Sequence, residues 1–163
     1  MLESKQLTIP SFKSQPEVVL DLTAVHEAEK RLIETRNVNP ATYNDLEFIM
    51  NNAYREAKKN MAHIGYEITR AQKAHREAKS LALLDFYPDF LKEKKHKDSA
   101  CIRDAFLETF ADYTQAQDRI DMLNAMLALM DGKIKVFENV CRFMKVEMNL
   151  CARSGVDPNK YLR

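Results

Sequence analysis

The sequence contains no tryptophan and only three glycines in 163 residues. Average usage gives about eleven glycines, so a glycine-rich phosphate loop, a hairpin-rich β fold and a collagen-like repeat are excluded. No apolar run approaches the roughly 18 residues that a membrane span requires, and Met1 to Pro10 offers neither the basic nor the apolar region of a signal peptide. A soluble, cytoplasmic protein that engages no membrane is therefore expected. The three cysteines, Cys101, Cys141 and Cys151, are odd in number, show no C-x-x-C spacing and read as reduced thiols. The remaining possibility is a turn-poor, all-α chain.

Proline supplies most of the punctuation. Pro10 and Pro16 bracket a polar stretch with too little apolar content for a core, so residues 1–15 are expected to form a flexible arm. Val18, Leu22, Val25 and Leu32 then recur at helical spacing until Asn37-Val38-Asn39-Pro40 interrupts, which predicts a shorter first helix over about 17–37. Pro40 suits the first turn of a second helix, and Gly65 alone costs only about 1 kcal/mol against Ala, so the pattern continues to Pro88. Along it Tyr54, Ala57, Met61, Ile64, Ile68, Ala71, His75, Ala78 and Ala82 alternate three and four apart, the mark of a coiled-coil seam. Pro88 is expected to end that helix and to leave residues 88–98 as a basic turn, with Asp98 or Ser99 as the cap of a third helix. This helix runs to about Arg153, where Gly155 and Pro158 are stop signals. The expected organisation is an arm (1–15), an N-terminal helix and first hairpin helix with a basic tip (16–98), and a second hairpin helix with an oligomerisation region and tail (99–163).

The third helix carries the strongest pattern. Ile102, Phe106, Thr109, Tyr113 and Ala116 open a heptad seam that continues through Ile120, Leu123, Leu127, Met130, Ile134, Phe137, Cys141 and Met144. A second stripe, Met122, Leu129, Val136, Phe143 and Leu150, repeats every seventh residue and widens the apolar arc to about 160°, more than one hairpin partner covers. Either the first helix folds back over the excess, giving a three-helix bundle, or the chain self-associates through residues 120–151. Self-association is the expectation carried forward, with Ile120 to Met144 of the seam as its oligomerisation residues and a ring-like or bundled homo-oligomer as its product.

Catalytic and metal signatures fail on spacing. His26-Glu27-Ala28-Glu29-Lys30 begins like H-E-x-x-H but has Lys30 where the second ligand must stand. His63 and His75 lie too far apart on one helix to share an ion. There is no G-x-S-x-G, P-loop or G-x-G-x-x-G, so no enzyme, no catalytic residue, no metal and no cofactor is expected.

Charge is segregated along the chain. Residues 99–132 hold two basic and six acidic side chains, and residues 133–163 hold seven basic and three acidic ones. The densest basic stretch is earlier: Arg70, Lys73, Arg76 and Lys79 toward the end of the second helix, then Lys92, Lys94, Lys95 and Lys97 with His96 in the turn. Phe86, Tyr87 and Phe90 are interleaved with them. Cations that track a phosphate backbone beside aromatic faces for bases are what sequence-tolerant single-strand binding needs. The same residues also suit a solvated lysine-rich turn whose aromatics cap the hairpin.

A resemblance sharpens this choice. The helical hairpin, the aromatic-ended tip, the helix start Asp98-Ser99-Ala100-Cys101-Ile102-Arg103-Asp104 and the long last helix resemble the phage recombination mediators of the UvsY type. Ala82-Leu83-Leu84-Asp85-Phe86-Tyr87 is similar to that family's Ala-Arg-Leu-Asp-Tyr-Tyr segment, and Asp131-Gly132-Lys133-Ile134-Lys135 with Phe143-Met144-Lys145 resembles its last helix. The resemblance covers about residues 45–150. It implies a non-enzymatic, ring-like oligomer, in the host cytoplasm if phage-encoded, that binds single-stranded DNA. It also implies that the protein engages a RecA-like recombinase and a single-strand DNA-binding protein, and loads the first where the second is bound. The family's tip Lys and Arg fall here on Leu81 and Leu83, which shifts the implied DNA contacts to Arg76 and Lys79 one turn earlier and to Lys92, Lys94, Lys95 and Lys97 just after; with Arg70, Lys73, Phe86 and Tyr87 of the same basic, aromatic stretch these are the expected DNA-binding residues. The rival expectation is a structural or scaffolding coiled-coil protein, in virion assembly or as an adaptor, with no nucleic-acid binding. A third is an inhibitor that occupies a host protein by helix addition.

Overall fold

The computed structural model describes residues 5–12, 15–95 and 97–154, which are mostly helical, with one small two-stranded sheet. In chain order the elements are β1 (Gln6–Ile9), β2 (Val18–Asp21), α1 (Thr23–Arg31), a 3-10 turn (Leu32–Asn37), α2 (Pro40–Leu81), a π turn (Ala82–Phe86), α3 (Tyr87–Lys94), α4 (Ala100–Thr109) and α5 (Ala111–Ser154). The all-α expectation with long helices holds. No helix among the described residues is long and apolar enough to cross a membrane. The stop signals Gly155 and Pro158, the tail, and His96 of the tip lie outside the described residues. The chain divides into two compact units, residues 1–8, 18–62 and 128–163 in one, and 9–17 and 63–127 in the other.

In the first unit, two expectations are corrected. Residues 6–9 are not a loose arm but strand β1, paired with β2, and Leu22 N–H donates to the Lys5 carbonyl at 2.8 Å. The first helix does not begin at residue 17 either: Val18 and Leu20 point inward while Val19 and Asp21 point out, the two-residue period of a strand. Asp21 then starts α1: the Thr23 hydroxyl and the Thr23 N–H, the latter at 2.8 Å, both donate to its carboxylate and hold its pKa below the usual carboxylate value. Asn60 of α2 donates to the Asp21 carbonyl at 2.9 Å, so the strand end is pinned to the long helix.

Helix α2 begins as its sequence dictates. The Asn39 side chain accepts from Ala41 N–H at 3.0 Å and Thr42 N–H at 3.1 Å, and Thr42 Oγ1 accepts from Asn39 N–H at 3.2 Å, a reciprocal cap with Pro40 in the first turn. Within this unit α2 and α5 run antiparallel, as Lys145 to Glu47 (3.4 Å) and Cys141 to Asn51 (3.8 Å) show. Leu46, Met50, Ala53 and Ala57 pack with Ile134, Phe137 and Met144, and α1 adds Val25 and Ala28 to the same core. Lys133 and Glu29 form an ion pair between α5 and α1. The first helix therefore does fold back onto the seam. It leaves the second stripe uncovered: Val136, Phe143 and Leu150 stay exposed, as does Val146.

In the second unit the aromatic residues of the tip form their own core. Tyr87, Phe106 and Leu107 are buried with Ala82, and Phe90 lies against Phe106 with ring centres 5.0 Å apart. Pro88 does not end the helix. The π turn closes with Tyr87 N–H on the Ala82 carbonyl, and Pro88 takes the first turn of α3, where its missing N–H costs nothing. Residues 88–94 are thus helix where a turn was expected, and the reversal falls at Lys95, in the left-handed region with φ 54°. Ser99 caps α4, accepting from Ile102 N–H at 3.3 Å. The third helix is interrupted at Phe110, which is extended at φ −87°, ψ 104° and sets its ring 5.5 Å from Phe86.

Residues 9–17 also belong to this unit, and Ile9 is fully buried. The buried Arg119 guanidinium donates to the carbonyls of Pro10 and Pro16, the latter at 3.2 Å, and lies 3.7 Å from the buried Glu67 carboxylate. Gln15 Nε2 donates to the Arg70 carbonyl at 3.1 Å. Of the segment read as an arm, Pro10 and Gln15 are thus tied to α5 and α2.

Candidate nucleic-acid interface

Helical geometry decides which of the expected cations act together. At about 100° per residue, each step of three turns the side chain back by roughly 60°, so Arg70 and Lys79 end up on opposite edges of α2. The buried residues Ala71, Ala78 and Ala82 define the inward face. Lys73 and Arg76 point away from it, and Arg70 and Lys79 flank them. Lys73, Arg76, Glu77, Ser80, Leu81, Leu84 and Asp85 line a shallow groove of about 510 Å³ along this face.

The cations differ in how committed they are. Arg70 donates to Glu67 Oε1 at 2.9 Å and sits half-buried. Lys73 meets Glu77 at 3.7 Å and Lys92 meets Asp89 at 3.1 Å, both fully in solvent, where such pairs contribute little. Among the described residues, the side chains of Arg76, Lys79, Lys94, Lys95 and Lys97 make no hydrogen bond or ion pair, and all five residues are exposed. Their charge is available to a ligand. His75, by contrast, packs its ring 4.3 Å from Tyr113, and burial, with Lys79 adding repulsion, holds its pKa below the ordinary imidazole value.

The aromatics divide in the same way. Phe86 is 51% exposed, and beside it Leu84 is 75% exposed. Tyr87 is only 6% exposed, and its phenol donates to Asp98 Oδ1, which corrects its expected role as a base-stacking face. Asp98 also takes two bonds from Arg103, one from Nε at 2.7 Å, and these hold its pKa low. Tyr87 is therefore part of the framework of the tip, while Phe86 remains at its surface.

The expected oligomerisation residues are placed differently from the sequence reading. Ile120, Leu123, Met130, Ile134, Phe137 and Met144 are buried within the single chain, and Leu127 and Cys141 are partly so. These side chains hold the chain together and are not free to face a second copy.

Two features of the second unit went unnoticed in the sequence. The buried pair of Glu67 and Arg119 sits one step off the α2 and α5 seams, where charges are ordinarily solvated. Tyr66, 63% exposed, carries the Arg70 guanidinium 5.8 Å from its ring centre, and only its place seven residues before Lys73 could have signalled it. Comparison of the chain with protein-family models, with curated proteins and with solved structures finds no match.

Proposed function

We propose that this protein binds single-stranded DNA without catalysing a reaction on it, and serves as a recombination mediator that helps a RecA-like recombinase replace a single-strand DNA-binding protein. The observation that carries the reading is the set of uncommitted cations, Arg76, Lys79, Lys94, Lys95 and Lys97, in the same unit as the exposed Phe86 ring. Free cations beside an aromatic face favour a flexible polyanion with bases able to stack. The UvsY-type resemblance of the tip and last helix supports the choice of single-stranded DNA. Self-association belongs to this reading, and it runs through Val136, Phe143 and Leu150 in place of the buried seam; repeated weak sites on such an assembly gain affinity from multiplicity.

Fluorescence anisotropy of labelled oligo-dT, with a duplex control, tests the reading from about 50 to 300 mM salt, where several phosphate contacts change affinity by orders of magnitude. Single-strand-preferring, salt-sensitive binding that Lys94→Glu with Lys95→Glu weakens is the expected result. Absence of binding at the lowest salt favours the second reading, a scaffolding coiled-coil protein. The exposed stripe of Val136, Phe143 and Leu150 is the observation on that side, since it offers a surface to protein partners alone.

A further inference from the structure

Tyr66 is an exposed aromatic on the outward face of α2. A lone exposed ring needs no explanation, but this one is braced. The Arg70 guanidinium lies over it at 5.8 Å, and that guanidinium is fixed by its 2.9 Å bond to Glu67, a carboxylate itself buried. Gln15 holds the Arg70 backbone from the other side, through the carbonyl. The ring and the cation therefore present a pre-ordered plane to solvent, and little side-chain entropy is left to lose on binding.

The surroundings point to the ligand. Lys73 and Arg76 lie seven and ten residues on, over a rise of about 15 Å along the same side of the helix. Of the carboxylates in this stretch, Glu67 is committed to Arg70 and Arg119, while the exposed Glu77 stands 3.7 Å from Lys73. An anion approaching along the track thus meets Arg70, Lys73 and Arg76 against one exposed carboxylate, Glu77. Planar faces of tyrosine and arginine are what unstacked bases settle on, and the flanking cations suit the phosphates between them.

We propose that Tyr66, braced by Arg70, is a stacking platform for one base of a single strand, and that Lys73 and Arg76 receive the neighbouring phosphates. The proposal rests on the single-strand-binding reading and extends the interface beyond the tip. It makes Tyr66 a binding residue.

The absence of tryptophan supplies the test. Tyr66→Trp installs a single indole at the platform, and titration with unlabelled oligo-dT is expected to quench its emission in step with the anisotropy of the labelled oligomer. Tyr66→Ala is expected to weaken binding about fivefold or more, the lower end of what one stacked base contributes. Both variants are at an exposed position, and circular dichroism checks that each is folded. Undiminished binding by Tyr66→Ala together with an unquenched Tyr66→Trp indole overturns the platform and leaves single-strand binding at the tip intact. No anisotropy change with the unmodified protein overturns the binding reading and the platform with it.

Discussion

The phenol of Tyr87 donates a 3.0 Å hydrogen bond to Asp98 Oδ1 and so ties α3 to the residue before the α4 cap. This contact, and the burial of the ring, turn an expected ligand-facing residue into a structural one. Tyr87→Phe is accordingly expected to lower the thermal midpoint and leave affinity for oligo-dT unchanged. Phe86→Ala is expected to do the reverse, lowering affinity with little effect on melting. Anisotropy and a thermal melt of the two variants check both halves.

The Glu67 and Arg119 side chains are 3% and 4% exposed, and the Arg119 charge depends on Glu67 and on the carbonyls of Pro10 and Pro16, whereas Glu67 also has Arg70. Removing Glu67 leaves the Arg119 guanidinium an uncompensated buried charge, which typically costs about 3 kcal/mol or more. Glu67→Leu is expected to lose that much stability in urea unfolding, and Arg119→Met less, because Glu67 keeps Arg70. The double variant Glu67→Leu with Arg119→Met is expected to lose less than the two single variants summed, because it strands no charge.

His75 gives the chain an acid sensitivity of definite sign. Its folded pKa lies below the 6.5 of the free imidazole, chiefly through burial and secondarily through Lys79. Above 6.5 both folded and unfolded chains hold the neutral ring, and stability is at its plateau. As pH falls below 6.5 the unfolded chain takes up a proton that the folded one refuses, so stability declines until the depressed folded value is passed. The slope of one such proton is at most about 1.4 kcal/mol per pH unit. His75→Phe keeps the contact with Tyr113 and is expected to flatten this part of the curve, read from urea midpoints at a series of pH values.

The two stripes of α5 make opposite predictions. Phe137 is fully buried in the first unit, and Phe137→Ala is expected to cost about 3–5 kcal/mol by opening a cavity. Phe137→Glu is expected to unfold the chain, not to separate copies. Phe143 is 45% exposed, so Phe143→Glu is expected to hold stability within about 0.5 kcal/mol and to lower the mass seen by light scattering.

Much of the helical framework was legible because its signal is long. From Ala116 to Met144 the three-four spacing repeats often enough that the inward face of α5 can be read off directly, and the Asn39-Pro40 start of α2 follows from its own side-chain chemistry. The short elements were not legible. Val18-Val19-Leu20 fits a helical and a strand period equally, and only the pairing with β1 decides between them. Pro88 reads as a terminator because an α-helical carbonyl four residues earlier clashes with its ring; the π turn before it shifts those carbonyls, a change that no residue type announces. At the site, the row of cations was legible, but their division into free and committed was not. That division depends on Glu67 turning inward beneath Arg70, and on which aromatic of Phe86 and Tyr87 finds a partner in Asp98.

The bond between Arg119 and Pro16 spans 103 residues of sequence. During synthesis at about 5–20 residues per second, the amino-terminal segment waits roughly 5 to 20 seconds before the guanidinium that fastens it has been made. Through that interval Ile9 and the two proline carbonyls have no docking place, and a nascent or prematurely terminated chain presents them to whatever chaperone or protease is near. The fastening of Pro10 and Pro16 is therefore a late step that certifies a chain as translated past Arg119.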